Sequence, residues 1–230
     1  PIEMSYQAPF VDAARSVDPV NRSNTFISYY SYGSMLGLAL DLSLREKGLS
    51  LDDYMRLIWI TYGEQEKPYK IEDLHNTLKD YAGTDFGNHF FNNYIYKSNM
   101  PDMKRLLNMV GVSLTQDNTK IDFGARVKYS LITENTTMGL SAYNAGLESG
   151  DKILKVNYVL IDESVNFDAV INMFKPNDEI KVVYERFGET KETIVTLQAS
   201  KDYTLNVFES ENLKLDEKQK ALREAWLQVK

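Results

Sequence analysis

Residues 142–157 read Ala142-Tyr143-Asn144-Ala145-Gly146-Leu147-Glu148-Ser149-Gly150-Asp151-Lys152-Ile153-Leu154-Lys155-Val156-Asn157. The small residues from Ser141 to Leu147 predict a short helix, and Gly146 ends it because a left-handed turn is needed there, which glycine adopts without a Cβ penalty. Gly150-Asp151 then turns the chain, and Ile153, Leu154 and Val156 start a strand. Outward from this stretch the apolar period stays near two. Val127 and Tyr129, Val159 and Ile161, Ile180, Val182 and Tyr184, and Ile194, Val195 and Leu197 alternate between Gly, Asn and Asp positions. A second helical piece, Phe167 to Phe174, is closed by Lys175-Pro176-Asn177-Asp178, and Arg186-Phe187-Gly188-Glu189 predicts a hairpin turn. Strands, short helix, strands, longer helix and closing hairpin predict a small, partly open β-barrel with two helices over 113–200.

Upstream the period lengthens to that of helices. Ten of the 15 tyrosines precede residue 100. Met35, Leu36, Ala39, Leu40 and Leu44 form one apolar face, closed by Arg45, Lys47 and Gly48. Ser50 and Asp53 approximate a capping box before Leu51, Tyr54, Met55, Ile58 and Trp59, a stripe that ends near Gly63. Ile71, Leu74, Leu78 and Tyr81 stop at Gly83; Asp85 is expected to cap a fourth helix carrying Phe86, Phe90, Phe91 and Tyr94; Pro101 is expected to open a fifth before Gly111. Short connections predict an antiparallel helical array over 1–112. Beyond 200, a tail over 201–230 ends in a charged amphipathic helix with Leu222, Ala225, Trp226 and Val229 on one side, expected to pack on a neighbour. The fold class is therefore multi-domain α and β, an all-helical array followed by a partly open barrel and a C-terminal helix.

The 230 residues carry 26 Lys+Arg against 33 Asp+Glu, a net charge of -7, which argues against nucleic acid as a partner. Absence of Cys removes disulfides, thiolate metal sites and Cys nucleophiles, and leaves the redox compartment open. No run approaches the roughly 18–20 apolar residues of a membrane span, so no membrane insertion is expected. The opening Pro1-Ile2-Glu3-Met4 has neither initiator Met nor signal-peptide character, and reads as a mature or excised form. Serine hydrolysis has no Gly-x-Ser-x-Gly elbow. Asp52-Asp53 and Glu72-Asp73 fall at helix starts, where the helix dipole accounts for them. Gly33 and Gly37, four apart, are expected to permit close helix packing. His75 and His89, the two histidines of the chain, are fourteen positions apart on different predicted helices and belong to no His-Glu-x-x-His, so no metal ligands are expected among these residues.

The 142–157 stretch resembles the PDZ signature, small-Ala-x-x-Ala-Gly-Leu-x-x-Gly-Asp-x-Ile-Leu-x-Val-Asn. PDZ domains capture an extended chain terminus by strand addition, with a loop of backbone N–H groups receiving its carboxylate. The resemblance puts that loop at Asp122-Phe123-Gly124-Ala125 and the groove helix at Phe167–Phe174, with Phe123, Gly124, Ala125, Phe167 and Val170 as peptide-binding residues. The loop differs from the usual Gly-Leu-Gly-Phe, and the helix start has no His. A PDZ fold that only braces its neighbour is the alternative.

Met4-Ser5-Tyr6-Gln7-Ala8-Pro9-Phe10-Val11-Asp12-Ala13-Ala14, Asn24-Thr25-Phe26-Ile27-Ser28-Tyr29-Tyr30-Ser31-Tyr32-Gly33, Leu38-Ala39-Leu40-Asp41-Leu42-Ser43-Leu44-Arg45 and Gln219-Lys220-Ala221-Leu222-Arg223-Glu224-Ala225-Trp226-Leu227 together resemble the region downstream of the zinc site in the glycyl aminopeptidase family of gluzincin metallopeptidases. That resemblance covers nearly the whole chain. It implies a zinc-dependent aminopeptidase whose catalytic domain lies upstream in the same polypeptide, with the cofactor zinc there and none in these residues, and with peptides as substrate. By itself the chain would then be inactive. The family's Tyr-x-Lys-Gly phrase matches Tyr30-Ser31-Tyr32-Gly33, with Tyr32 in place of Lys, and so implies Tyr30 as the catalytic oxyanion donor. Tyr29 and Tyr32 are expected in aromatic packing. Bacterial relatives are often exported, so an exported or periplasmic protein is the expectation by resemblance. A non-catalytic peptide-binding adaptor built on the PDZ groove is the alternative.

Overall fold

A computed structural model describes residues 29–97 and 99–227, which divide into two compact units. The segments over 4–14 and 24–28 on which part of the aminopeptidase resemblance rests lie outside the described residues. Residues 29–115 and 205–227 belong to the first unit and 116–204 to the second.

The first unit is helical: α1 (Tyr29–Glu46), α2 (Leu51–Ile58), α3 (Ile71–Ala82), α4 (Thr84–Phe90) and α5 (Met103–Asn108). Ser50 caps α2 as its spacing from Asp53 predicts. Its Oγ accepts the Asp53 amide at 3.1 Å and donates to the Asp53 carboxylate at 2.8 Å. Asp41 fixes the preceding turn by accepting the Leu51 amide at 3.1 Å while pairing with Arg45 at 2.9 Å. Helices α2 and α4 each widen into a π-type turn, Trp59–Gly63 and Phe91–Ile95. Two cap expectations are corrected. Gly83, at φ +102°, takes the cap position of α4, and Asp85 lies inside the first turn, where its charge faces the positive helix end without a capping bond. Asp102, one residue after Pro101, caps α5 by accepting the Arg105 amide at 2.9 Å.

Two apolar clusters fill this unit. Leu44, Tyr54, Leu78, Phe90 and Phe91 form one; Ala39, Leu42, Leu106, Leu107 and Val110 form the other, with Leu222 and Trp226 packed against it. The last two belong to the C-terminal helix α8 (Glu217–Leu227). The tail over 201–230, whose helix is expected to pack on a neighbour, returns into the helical unit, and its Arg223 binds there: Nε donates to the Val110 carbonyl and Nη2 to the Gly111 carbonyl, both at 2.7 Å. Gly111, at φ +70°, leaves room for this, since a Cβ there would lie 2.0 Å from Leu215 and 2.4 Å from Arg223. Strands β1 (Val112–Gln116) and β10 (Tyr203–Val207) pair where the chain leaves and comes back.

The second unit contains β2 (Ile121–Asp122), β3 (Val127–Lys128), β4 (Leu131–Ile132), α6 (Ser141–Asn144), β5 (Lys152–Val156), β6 (Val159–Leu160), α7 (Phe167–Ile171), β7 (Glu179–Arg186), β8 (Glu189–Thr196) and β9 (Gln198–Ala199). Its main sheet has the order β3-β4-β5-β7-β8, with β6 on β5, and β2 pairs with β9 separately. These are open sheets, not a closed barrel. Both helices are shorter than the sequence predicts, ending at Asn144 and Ile171, where the chain passes into turns. Phe123, Ile132, Leu147, Ile153, Ile180, Val182, Val195 and Leu197 are among the side chains of one continuous core. The predicted hairpin is present, with Arg186 opposite Glu189 and both Phe187 (φ +54°) and Gly188 (φ +81°) left-handed, the geometry of a type I′ turn.

Asp151 is 1% exposed and holds this unit's central polar contact. Arg186 grips it with two bonds, Nε to Oδ1 and Nη2 to Oδ2, each 2.7 Å, and Nη2 also donates to the Gly146 carbonyl at 2.7 Å. Asp151 further accepts the Glu148 amide at 2.8 Å. Bonding to Asp151 raises the guanidinium pKa above its ordinary value.

Candidate functional site

The loop that follows β2 is held at three points by residues 137–142. Ser141 Oγ donates to the Asp122 carbonyl at 2.9 Å, the Ala142 amide to the Phe123 carbonyl at 2.8 Å, and the Thr137 amide to the Gly124 carbonyl at 2.7 Å. Gly124 sits at φ +73°, and a Cβ there would come within 2.5 Å of Leu140 Cβ, so a side chain is excluded twice over. Its own amide is not left for a ligand: it donates to the Asp122 carboxylate at 2.8 Å. Phe123 turns inward, and its ring meets Phe167 edge to face at 4.9 Å between centroids.

Beside this loop lies a cavity of about 290 Å³, with Asp122, Phe123, Gly124 and Ala125 on one wall and Asp168, Ile171 and Asn172 of α7 and its end on the other. Of the residues predicted for peptide binding, Phe123, Gly124 and Ala125 line it. Phe167 and Val170 do not; both are 4% exposed and belong to the core. The helix explains this. Positions 167, 170 and 171 share the face turned to the core, and the cavity meets the neighbouring face, which carries Asp168 and Asn172. The apolar pattern marks the first face and gives no sign of the second. Strand β3 ends the sheet order, so its outer edge is unpaired within the main sheet.

Tyr30 belongs to the helical unit. It is the second residue of α1 and is 75% exposed. Tyr32 is buried as expected, its hydroxyl donating to the Tyr94 carbonyl at 3.4 Å, and burial pushes its phenol pKa up. The Tyr29 side chain lies outside the described residues. Among the described residues a Cβ on Gly33 or Gly37 would meet no atom within 4 Å, so no close packing at either glycine is seen there.

His75 and His89 are both engaged away from any metal geometry. The His75 ring stacks on Phe91 at 4.5 Å with its Nε2 3.1 Å from Asn88 Oδ1, and His89 Nε2 lies 3.3 Å from the Tyr94 hydroxyl. Among the described residues no three His, Asp or Glu side chains group to hold a metal. A second cavity of about 400 Å³, which sequence reasoning missed, lies in the helical unit between α1, α4 and α5, against Lys47, Phe86, His89 and Arg105; Glu46 takes the Arg105 guanidinium at 3.0 Å.

No protein-family model matches the chain. Among curated proteins it is similar to Do-like HtrA serine proteases from two Lactococcus lactis strains. With that of subspecies lactis IL1403 it is 29% identical over 86 residues, 37% of this chain and 21% of that protein. With that of subspecies cremoris MG1363 it is 29% identical over 99 residues, 43% of this chain and 24% of that protein. Among solved structures it is similar to an aminopeptidase N family protein of Idiomarina loihiensis at 25% identity and a TM-score of 0.71, over 92% of this chain and 38% of that one. The chain spans well under half the length of each of these relatives. Taken together, these likenesses relate it to peptidases.

Proposed function

We propose that the chain is the C-terminal region of a zinc-dependent aminopeptidase of the glycyl aminopeptidase type. In this reading zinc and its ligands lie elsewhere in the parent polypeptide, the helical unit forms one wall of the substrate cleft, and the sheet unit is a PDZ-like module that binds peptide segments or restricts their access. The observation that carries the reading is the likeness to an aminopeptidase N family protein across 92% of the chain at a TM-score of 0.71, which takes in helical and sheet residues alike. Tyr30, exposed at the start of α1, would donate its hydroxyl proton to the oxygen of the scissile carbonyl as negative charge develops there. For the sheet unit, support comes from the clamped loop at Asp122–Ala125, the cavity beside it and the edge of β3, unpaired among the described residues, an arrangement suited to strand addition.

The test is made on the full-length parent. Its sequence is expected to encode His-Glu-x-x-His upstream, and the purified protein to release N-terminal residues from short peptides in a chelator-sensitive reaction. Tyr30→Phe there is expected to lower kcat by about 100-fold or more with KM little changed, the size of effect of losing one oxyanion donor. A parent without that motif and without aminopeptidase activity overturns the reading, and leaves a peptide-binding module. Unchanged kcat in Tyr30→Phe removes Tyr30 from the site.

A further inference from the structure

A PDZ-type loop receives a chain terminus by offering free backbone N–H groups to its carboxylate. Here one such group is already taken. The Gly124 amide donates at 2.8 Å to Asp122, which belongs to the same loop and lines the same cavity. Asp122 thus presents to that amide the chemical group that a peptide terminus would bring. The opposite wall adds a second carboxylate, Asp168, and no basic side chain among the described residues lines the cavity. Neither aspartate has an ion-pair partner among the described residues. A peptide carboxylate entering here would find the Gly124 amide occupied by Asp122 and would sit beside two carboxylates. The loop has little freedom to rearrange, because the carbonyls of Asp122, Phe123 and Gly124 are each held by a donor from residues 137–142.

We infer that Asp122 is a specificity-determining residue that closes the loop to free chain termini, so that the groove takes extended internal segments of polypeptide. The proposal rests on the peptide-binding reading of the sheet unit and names the ligand class of that same site. An internal segment brings no terminal charge. It needs only the edge of β3 that no described strand covers for its backbone, and the walls of Ile121, Phe123 and Ile171 for a side chain.

The experiment uses the whole 230-residue chain and a fluorescein-labelled pool of decapeptides with an apolar last residue, made once as free acids and once as C-terminal amides. Binding is followed by anisotropy and located by amide shifts of residues 121–128 and 168–172. The unmodified chain is expected to favour the amides, and Asp122→Ala to move the acid-to-amide affinity ratio towards the acids by at least about tenfold, the low end for a like-charge juxtaposition removed from a binding site. Asp122→Asn keeps an acceptor for the Gly124 amide and removes only the charge. Its ratio is expected to fall between the two, and it carries the test if the alanine variant does not fold. Tighter binding of free acids by the unmodified chain, or a ratio that neither substitution moves, overturns the inference while leaving peptide binding intact. Failure of every pool to bind any of the three proteins overturns the peptide-binding reading itself and the inference with it.

Discussion

The helical unit and the sheet unit are held together on different length scales. In the sheet unit one buried carboxylate, Asp151, ties Glu148, Gly146 and Arg186 into a single knot inside one core. The helical unit has two apolar clusters, and the second is completed by side chains from beyond residue 205. Its polar closure is Arg223, more than a hundred residues away from the carbonyls of Val110 and Gly111 that it binds. A local signature is therefore enough to announce the sheet unit, whereas the helical unit declares its helices but not what covers them.

That contrast can be broken at four points. The largest effect is expected from Asp151→Ala, which strands the Arg186 guanidinium against the core and costs about 3–5 kcal/mol; hydrogen exchange in β7 and β8 under native conditions should quicken accordingly. Both tryptophans, Trp59 and Trp226, lie in the helical unit, so their fluorescence reports its unfolding by itself. By that readout Gly111→Ala should lower stability by roughly 1–3 kcal/mol, because the residue is left-handed and its Cβ would press on Leu215 and Arg223. Tyr54→Phe should cost about 1 kcal/mol by removing the hydroxyl that donates to the Leu74 carbonyl at 2.8 Å. Burial, and to a lesser degree the nearby Tyr62, raises the Tyr54 pKa to about 12. The folded value lies above the ordinary one of 10.0, so the associated stability is complete below pH 10 and is lost as pH rises towards 12. An alkaline titration of the tryptophan transition should show this window, and Tyr54→Phe should narrow it. The smallest effect is a gain. Phe187 is 97% exposed in a left-handed turn position, and Phe187→Asn should add about 0.5–1 kcal/mol, read from the thermal midpoint of the sheet unit, since Asn-Gly suits a type I′ turn.

Much of this was legible from residue order, and the misses share a cause. Helices α1 to α3, the Ser50 cap, the strands around Ile153 and the Phe187-Gly188 turn follow from periods and turn residues that act over a few positions. Arg186 as the partner of Asp151, and Arg223 as a cap for the end of α5, depend on contacts that no local pattern encodes. At the site, Phe167 and Val170 came from the groove helix that the PDZ resemblance implies, and their apolar side chains belong to the core. The bond from the Gly124 amide to the Asp122 carboxylate was within reach, for an Asp two residues before a Gly is a turn signal of its own. The cavity beside it was not, because Asp168 and Asn172 read as ordinary surface until the helix is seen against the loop.

The return of the chain at residue 205 sets an order of events during synthesis. When residue 204 has cleared the ribosomal tunnel the sheet unit has every strand it needs, but the helical unit, although translated first, still lacks Leu222, Arg223 and Trp226. Of the two units, the one translated earlier is thus the last to be sealed, and the nascent polypeptide carries Leu42, Leu107 and Val110 incompletely covered until those side chains emerge, a natural interval for chaperone engagement.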